Sequence, residues 1–225
     1  MIRLFLLINL AICYNSLFAQ NTKWDSSYLS TYYGQKVTLF NFLPDTKNEI
    51  IFLGNSITDI GEWAEIWQDK HVKNRGISGD NTFGVLARLD EVVASLPKKI
   101  FIMIGINDIA KNIPDSVILT NYQKIIQQIQ TKSSKTKIIV QSILPTNNAF
   151  TQFINHQNKT NHILAVNLQL QKICAEKSID FVNLYPLFLD EEGKLSKTYT
   201  NDGLHLNGNG YMLWKKTLQQ LKLMP

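Results

Sequence analysis

Ser56 lies in the run Gly54-Asn55-Ser56-Ile57-Thr58-Asp59, two residues beyond a short apolar stretch. A serine hydroxyl is a weak nucleophile until a nearby base takes its proton. A base of that kind occurs near the C-terminus, in Asp202-Gly203-Leu204-His205-Leu206-Asn207. An acid three residues before a histidine can orient the ring, fix its tautomer and stabilise the imidazolium. Two further segments could meet a developing negative oxygen. In Arg75-Gly76-Ile77-Ser78-Gly79-Asp80-Asn81 the missing Cβ of Gly79 lets a ligand approach its N–H. In Gly105-Ile106-Asn107-Asp108 the Asn107 amide can donate to an oxyanion.

Taken singly, each segment has an ordinary explanation. Ser56 or Thr58 could cap a helix, Gly79 could make a turn, Asn107 could cap the next segment, and a lone histidine is more often structural. The serine run is not the G-x-S-x-G elbow, because Thr58 holds the second glycine position. What unites the four is their place on the chain. Short runs carrying Ile, Val, Phe or Leu occur at 49–53, 72–77, 100–104, 137–144 and 180–184, nearly continuous in the first, third and fourth. They read as strands buried on both faces of a parallel sheet. Helical spacing of apolar residues predicts helices at 62–70, 82–95, 115–131, 158–177 and 210–221. Alternation of the two predicts one doubly wound α/β domain with right-handed crossovers. In such a sheet ligands bind beyond the carboxyl ends of the strands. Ser56, Gly79 and Asn107 each follow a strand, and Asp202 and His205 precede the last helix.

In combination these segments resemble the four blocks of the SGNH hydrolases, also called GDSL-like lipases and acylhydrolases. The blocks of that family centre on Ser, Gly, Asn and His, here Ser56, Gly79, Asn107 and His205, and the likeness runs from about Glu49 to the end. Asn55 departs from the pattern, since the family's usual motif has Asp before the serine. Arg75 to Asn81, Ala87-Arg88-Leu89 and the stretch from His205 to Tyr211 are similar to the acetylhydrolase branch. The resemblance implies a three-layer, flavodoxin-like sheet of five parallel strands ordered 2-1-3-4-5. That order would flank Ser56 with Gly79 on one side and Asn107 on the other. It further implies a serine esterase with Ser56, His205 and Asp202 as triad. The Ser56 and Gly79 N–H groups and the Asn107 amide would bind the oxyanion. No metal or organic cofactor is required.

The rest of the chain bounds the setting. Its 225 residues, 44% hydrophobic and 18% charged, are enough for one domain with a buried core and exclude a disordered or collagen-like chain. Residues 1–19 place Arg3 before an apolar run from Leu4 to Cys13 and end on Ala19. That is the order of a secretory signal peptide, and the run is too short to span a bilayer, which takes about 20 residues. Cleavage there predicts a secreted protein, periplasmic or extracellular, without a membrane span. It would lower the formal charge from +5 to +4, through Arg3. The surplus is scattered, with no basic run longer than the pairs Lys98-Lys99 and Lys215-Lys216, so nucleic acid is not expected as a partner. Cys174 would then be the sole cysteine, on an apolar face with Val166, Leu170 and Ile173, and reads as a core thiol.

Residues 20–48 read as an N-terminal extension packed on the domain 49–225, with Trp24, Tyr28, Tyr32 and Tyr33 as packing residues. The Asn-rich segment 145–159 reads as a surface connection that could also shape a pocket. Two substrate classes stay open. One is acetylated carbohydrate, sialic acid or glycan. The other is a lysophospholipid or thioester, which needs an apolar groove from residues such as Phe83, Ile109, Phe150 and Phe153. A binding module on an inactive scaffold is disfavoured, because the full set of chemical residues is present. Oligomeric state is not legible.

Overall fold

The computed structural model describes residues 24–225, so the signal-peptide reading of 1–19 lies outside the described residues. Five strands form one parallel sheet: β1 (Ile50–Gly54), β2 (Val72–Gly76), β3 (Lys99–Met103), β4 (Lys137–Gln141) and β5 (Asp180–Val182). Their order is 2-1-3-4-5. Every residue of β1 is buried, as a central strand covered on both faces requires. Among the described residues no helix is long and apolar enough to cross a membrane.

Helices cover the sheet. After β1 come α2 (Ser56–Asp59) and α3 (Trp63–Trp67), and after β2 come α4 (Thr82–Ala87) and α5 (Leu89–Ala94). Past β3 lie α6 (Ile106–Ala110) and α7 (Asp115–Lys132), and α8 (Thr160–Glu176) and α9 (Gly208–Gln220) complete the set. The helix α7 buries Ile118, Tyr122, Ile125, Ile126 and Ile129, the stripe its periodicity predicts. It packs beside α4, α5 and α8, while α3 packs on α9. On the α3–α9 side the Phe52 ring stacks on Trp63 at 3.9 Å and on Phe101 at 4.8 Å, with Trp214 edge-on. Burying one such aromatic contributes about 1.5–3 kcal/mol.

Several boundaries differ from the sequence expectation. The predicted helix 82–95 is broken at Arg88 (φ −115°, ψ 9°). The buried Arg88 guanidinium turns inward to Asp80 (3.0 Å) and to the carbonyls of Gly54 (3.3 Å) and Arg75 (2.9 Å). These bonds favour the break over one more turn of helix. The predicted helix 62–70 ends at Trp67, where Gln68 adopts a left-handed conformation (φ 50°). The predicted strand 137–144 ends at Gln141, since Ile143 bonds through its N–H and C=O to the Asn167 side chain instead of to a strand.

Residues 20–48 contain a helix not foreseen, α1 (Thr31–Phe42), capped by Ser30. Tyr33 and Phe40 of α1 bury against Ile77 in a small second core. Trp24 stacks on Phe83 at 6.1 Å, and the Tyr33 hydroxyl donates to the Gly84 carbonyl at 2.8 Å.

The register positions the site. Gly54 of β1 pairs with Gly76 of β2 and Met103 of β3, so three strands end at one level. Ser56 follows its strand by two residues, Gly79 by three and Asn107 by four. Residues from three loops therefore converge at the carboxyl ends of the strands.

Candidate active site

Asn55 caps α2, its side-chain oxygen accepting from the Ile57 N–H at 3.0 Å. An Asp could make the same bond, so the departure at this position leaves the local turn intact. Ser56 is the first residue of α2, and its N–H has no acceptor within the helix. The Tyr211 hydroxyl of α9 donates to the Ile57 carbonyl at 2.8 Å and fixes α2 from the far side.

Ser56 Oγ lies 2.9 Å from His205 Nε2, and His205 Nδ1 lies 2.7 Å from Asp202 Oδ2. The other Asp202 oxygen accepts from the N–H groups of Leu204 (2.9 Å) and His205 (2.8 Å). Burial pushes the Asp202 carboxyl up, but these bonds, led by that from the His205 ring, outweigh it and hold the group below its ordinary value. A carboxylate on Nδ1 requires that nitrogen to carry hydrogen and leaves Nε2 free to accept from serine.

Asn107, near the start of α6, donates from Nδ2 to the Asp80 carbonyl at 2.8 Å. The residue preceding Asp80 is Gly79, in a left-handed conformation (φ 82°) with open space where a Cβ would be. Asp80 is held by Arg88, so the loop is tied to the ends of β1 and β2. Burial drives the Asp80 carboxyl upward against the pull of Arg88. Ser56, Gly79, Asn107 and His205 all line one pocket of about 380 Å³, with Asp202 behind the histidine. The structure thus brings together Ser56, Gly79, Asn107, Asp202 and His205.

It also adds His156, which the sequence did not mark. The segment 145–159 enters the pocket through Phe153, which precedes the short 3-10 turn Ile154–His156, and through His156, which ends it. The Phe153 ring stands edge-on to His205 at 4.8 Å. His156 Nε2 lies 2.8 Å from Asn107 Oδ1. Neither has a motif around it, so no spacing could have flagged it. The expected acyl-groove set is corrected accordingly. Only Phe153 of the four lines the pocket; Phe83 is packed under Trp24, Ile109 is buried, and Phe150 lies against Gly203. The wall is completed by Ile60 and Leu204, with Ser78 beside Gly79.

Residues 52–213 match the GDSL-like lipase/acylhydrolase family, and the chain belongs to that family. It is an acylhydrolase of the GDSL-like type, and the 2-1-3-4-5 sheet is the fold of that family. Among characterised proteins it is similar to platelet-activating factor acetylhydrolase IB subunit alpha2 of Rattus norvegicus, 30% identical over 79% of this chain and 77% of that one. A segment of the N-acylneuraminate cytidylyltransferase of Escherichia coli O18:K1:H7 is 28% identical over 79% of this chain and 41% of that enzyme. Among solved structures, a Streptococcus pneumonia protein provisionally described as a platelet activating factor superposes with a TM-score of 0.78. It is 31% identical and covers 84% of this chain and 92% of its own.

Proposed function

We propose that this acylhydrolase is a secreted carboxylic ester hydrolase that removes acetyl groups from carbohydrate by an acyl-enzyme mechanism. The observation that carries the reading is the hydrogen-bonded series Asp202–His205–Ser56 opening onto a pocket shared with Gly79 and Asn107. In this mechanism His205 Nε2 takes the Ser56 proton as Oγ attacks the ester carbonyl. The N–H groups of Ser56 and Gly79 and the Asn107 amide receive the oxyanion. The imidazolium, steadied by Asp202, protonates the leaving alcohol as the C–O bond breaks. A water then gives its proton to His205 and attacks the acyl carbon. The acid leaves, and Ser56 recovers its hydrogen.

Phe153 against His205 narrows the space above the nucleophile and supports a short acyl group. The relatives support the choice in part. One is an acetylhydrolase, and another is in part an enzyme of N-acylneuraminate, which supports sialic acid among the carbohydrates. Secretion rests on the order of residues 1–19. A second reading, a lysophospholipase or thioesterase, draws support from the apolar wall of Ile60, Phe153 and Leu204.

Hydrolysis of p-nitrophenyl acetate, butyrate and octanoate by the purified protein, beside Ser56→Ala, separates these readings. Ser56-dependent preference for acetate supports deacetylation, and preference for octanoate moves the substrate to lipid or thioester. Retained activity in Ser56→Ala would overturn the mechanism, and the absence of any turnover would favour the binding module.

A further inference from the structure

We infer that His156 is a positioning residue that holds the Asn107 amide in the one orientation able to donate to the oxyanion. The inference rests on the proposed role of Asn107 and extends it to a residue outside the family's four blocks.

The Asn107 amide has two contacts on opposite atoms. Nδ2 donates to the Asp80 carbonyl at 2.8 Å, and Oδ1 faces His156 Nε2 at 2.8 Å. Rotating the amide by half a turn would set two oxygens against each other at Asp80. The Asp80 carbonyl therefore fixes which end is nitrogen, and Oδ1 then requires a donor. His156 supplies it only as the Nε2–H tautomer. One Nδ2 hydrogen is committed to Asp80, and the second is left for the pocket that Ser56 lines. Without His156, Oδ1 would sit half-buried without a partner, and the amide would be free to tilt toward solvent.

The imidazole is itself held. Its Nδ1 is buried with no partner among the described residues, so a proton there would have nowhere to donate. Burial, and then the nearby His205, depress the basicity of the ring, which keeps it neutral. The His156 N–H donates to the Phe153 carbonyl at 2.9 Å, and its own carbonyl accepts from Thr146 Oγ1 at 3.1 Å. The backbone of the turn is thereby fixed at both ends. Segment 145–159 is then more than a connection, since it carries a donor to an asparagine 49 residues earlier.

The test is kinetic and has an arm independent of turnover. On p-nitrophenyl acetate, His156→Leu should lower kcat by about 10- to 100-fold, bounded by the 10²–10³ typical of losing an oxyanion donor outright. KM should stay within about twofold. His156→Gln, whose Nε2 hydrogens reach the same place, should recover most of the loss. Asn107→Ala combined with His156→Leu should be no slower than Asn107→Ala alone, because the two act as one unit. Wild-type kcat in His156→Leu, equal losses in the Leu and Gln variants, or additive losses in the double variant would overturn the inference. Long-range 1H–15N correlation of the four imidazoles should show His156 as the Nε2–H tautomer, and the Nδ1–H tautomer would overturn it even if no ester is turned over. Loss of Ser56 dependence, by contrast, would count against the proposed mechanism and leave the tautomer result standing.

Discussion

Asp59 joins the N-terminal helix to the Ser78-Gly79 loop: it accepts from the Tyr32 hydroxyl at 2.8 Å and from the Ser78 hydroxyl at 2.7 Å. Lys36 Nζ adds an ion pair at 2.7 Å and the Ser78 N–H a bond at 3.1 Å. Burial raises the Asp59 carboxyl, but the bonds from Lys36, Ser78 and Tyr32 overcome this and keep it below its ordinary value. Ser78 is next to Gly79, so α1 braces the segment that presents the Gly79 N–H. Asp59→Ala should therefore cost about 2–3 kcal/mol of stability, the scale of hydrogen bonds to a buried charge. It should also lower kcat several-fold. Tyr32→Phe removes one partly exposed bond and should cost less than about 1 kcal/mol. Urea unfolding and ester kinetics on both variants check this. An Asp59→Ala protein with unchanged kcat would show that the brace does not reach Gly79.

Legibility in the sequence followed how local each cause was. The central strands could be read because both faces are buried and Ile, Leu, Phe and Met run without break in β1 and β3, while the edge strands β2 and β5 carry polar residues and are only partly buried. The candidate site could be read because Ser56, Gly79 and Asn107 each follow a strand whose end the shared register brings level, and Asp202 and His205 precede the last helix. Arg88 was not legible as a helix break, because its cause is a contact with Asp80 and two distant carbonyls. His156 was hidden for the same reason: it acts across 49 residues from a polar, aperiodic segment, whereas Phe153 could be named only as one of several possible groove aromatics. Helix α1 escaped notice because its buried residues, Tyr33 and Phe40, are too few to give a stripe.

In the proposed mechanism Asp202, 2.7 Å from the imidazole, fixes the His205 tautomer. In Asp202→Asn the amide would either donate to Nδ1 or leave it unpaired, and Nε2 would then tend to carry the proton. Turnover should fall by about 10⁴, less than for Ser56→Ala, as in other Ser-His-Asp enzymes. Equal losses in the two variants would mean that Asp202 does more than orient the ring.

Acid should act on the fold in opposing directions, because burial raises Asp80 and Asp108 to about 6 and their folded forms gain stability as pH falls from about 6 toward 3.8. The folded state holds His156 below the ordinary histidine value of 6.5, chiefly through burial and then through the charge of His205. Between the two values the unfolded chain binds a proton that the folded chain refuses. The His156 contribution is therefore full above about pH 6.5 and declines as pH falls below it. Asp59 and Asp202 are depressed below 3.8, and their contribution is lost only as pH falls through their folded values. Unfolding free energies of wild type and His156→Leu from pH 8 to pH 3 separate these contributions: below about pH 6.5 the variant should lose less stability on acidification than wild type. Parallel profiles in the two proteins would remove His156 as a source of the pH dependence.

Phe153 is the residue through which substrate length should be adjustable. Its backbone is left-handed (φ 51°), a conformation that costs a side chain about 1–2 kcal/mol relative to glycine. Its ring nevertheless stands edge-on at 4.8 Å to His205 and 6.0 Å to His156. Strain of this kind persists only where the neighbours hold it, and here the neighbours are pocket residues. Phe153→Ala removes the ring and keeps the strained backbone. Phe153→Gly removes the ring and relieves the backbone. If the ring limits the space above Ser56, both variants should raise kcat/KM for octanoate relative to acetate by about tenfold, a gain of about 1.4 kcal/mol. Only the glycine variant should regain Tm relative to Ala. An ester profile identical to wild type in both variants would remove Phe153 from the wall and leave Ile60 and Leu204 to define it. A shift in the glycine variant alone would instead point to movement of the 145–159 segment, because the two variants share the missing ring and differ only in backbone freedom.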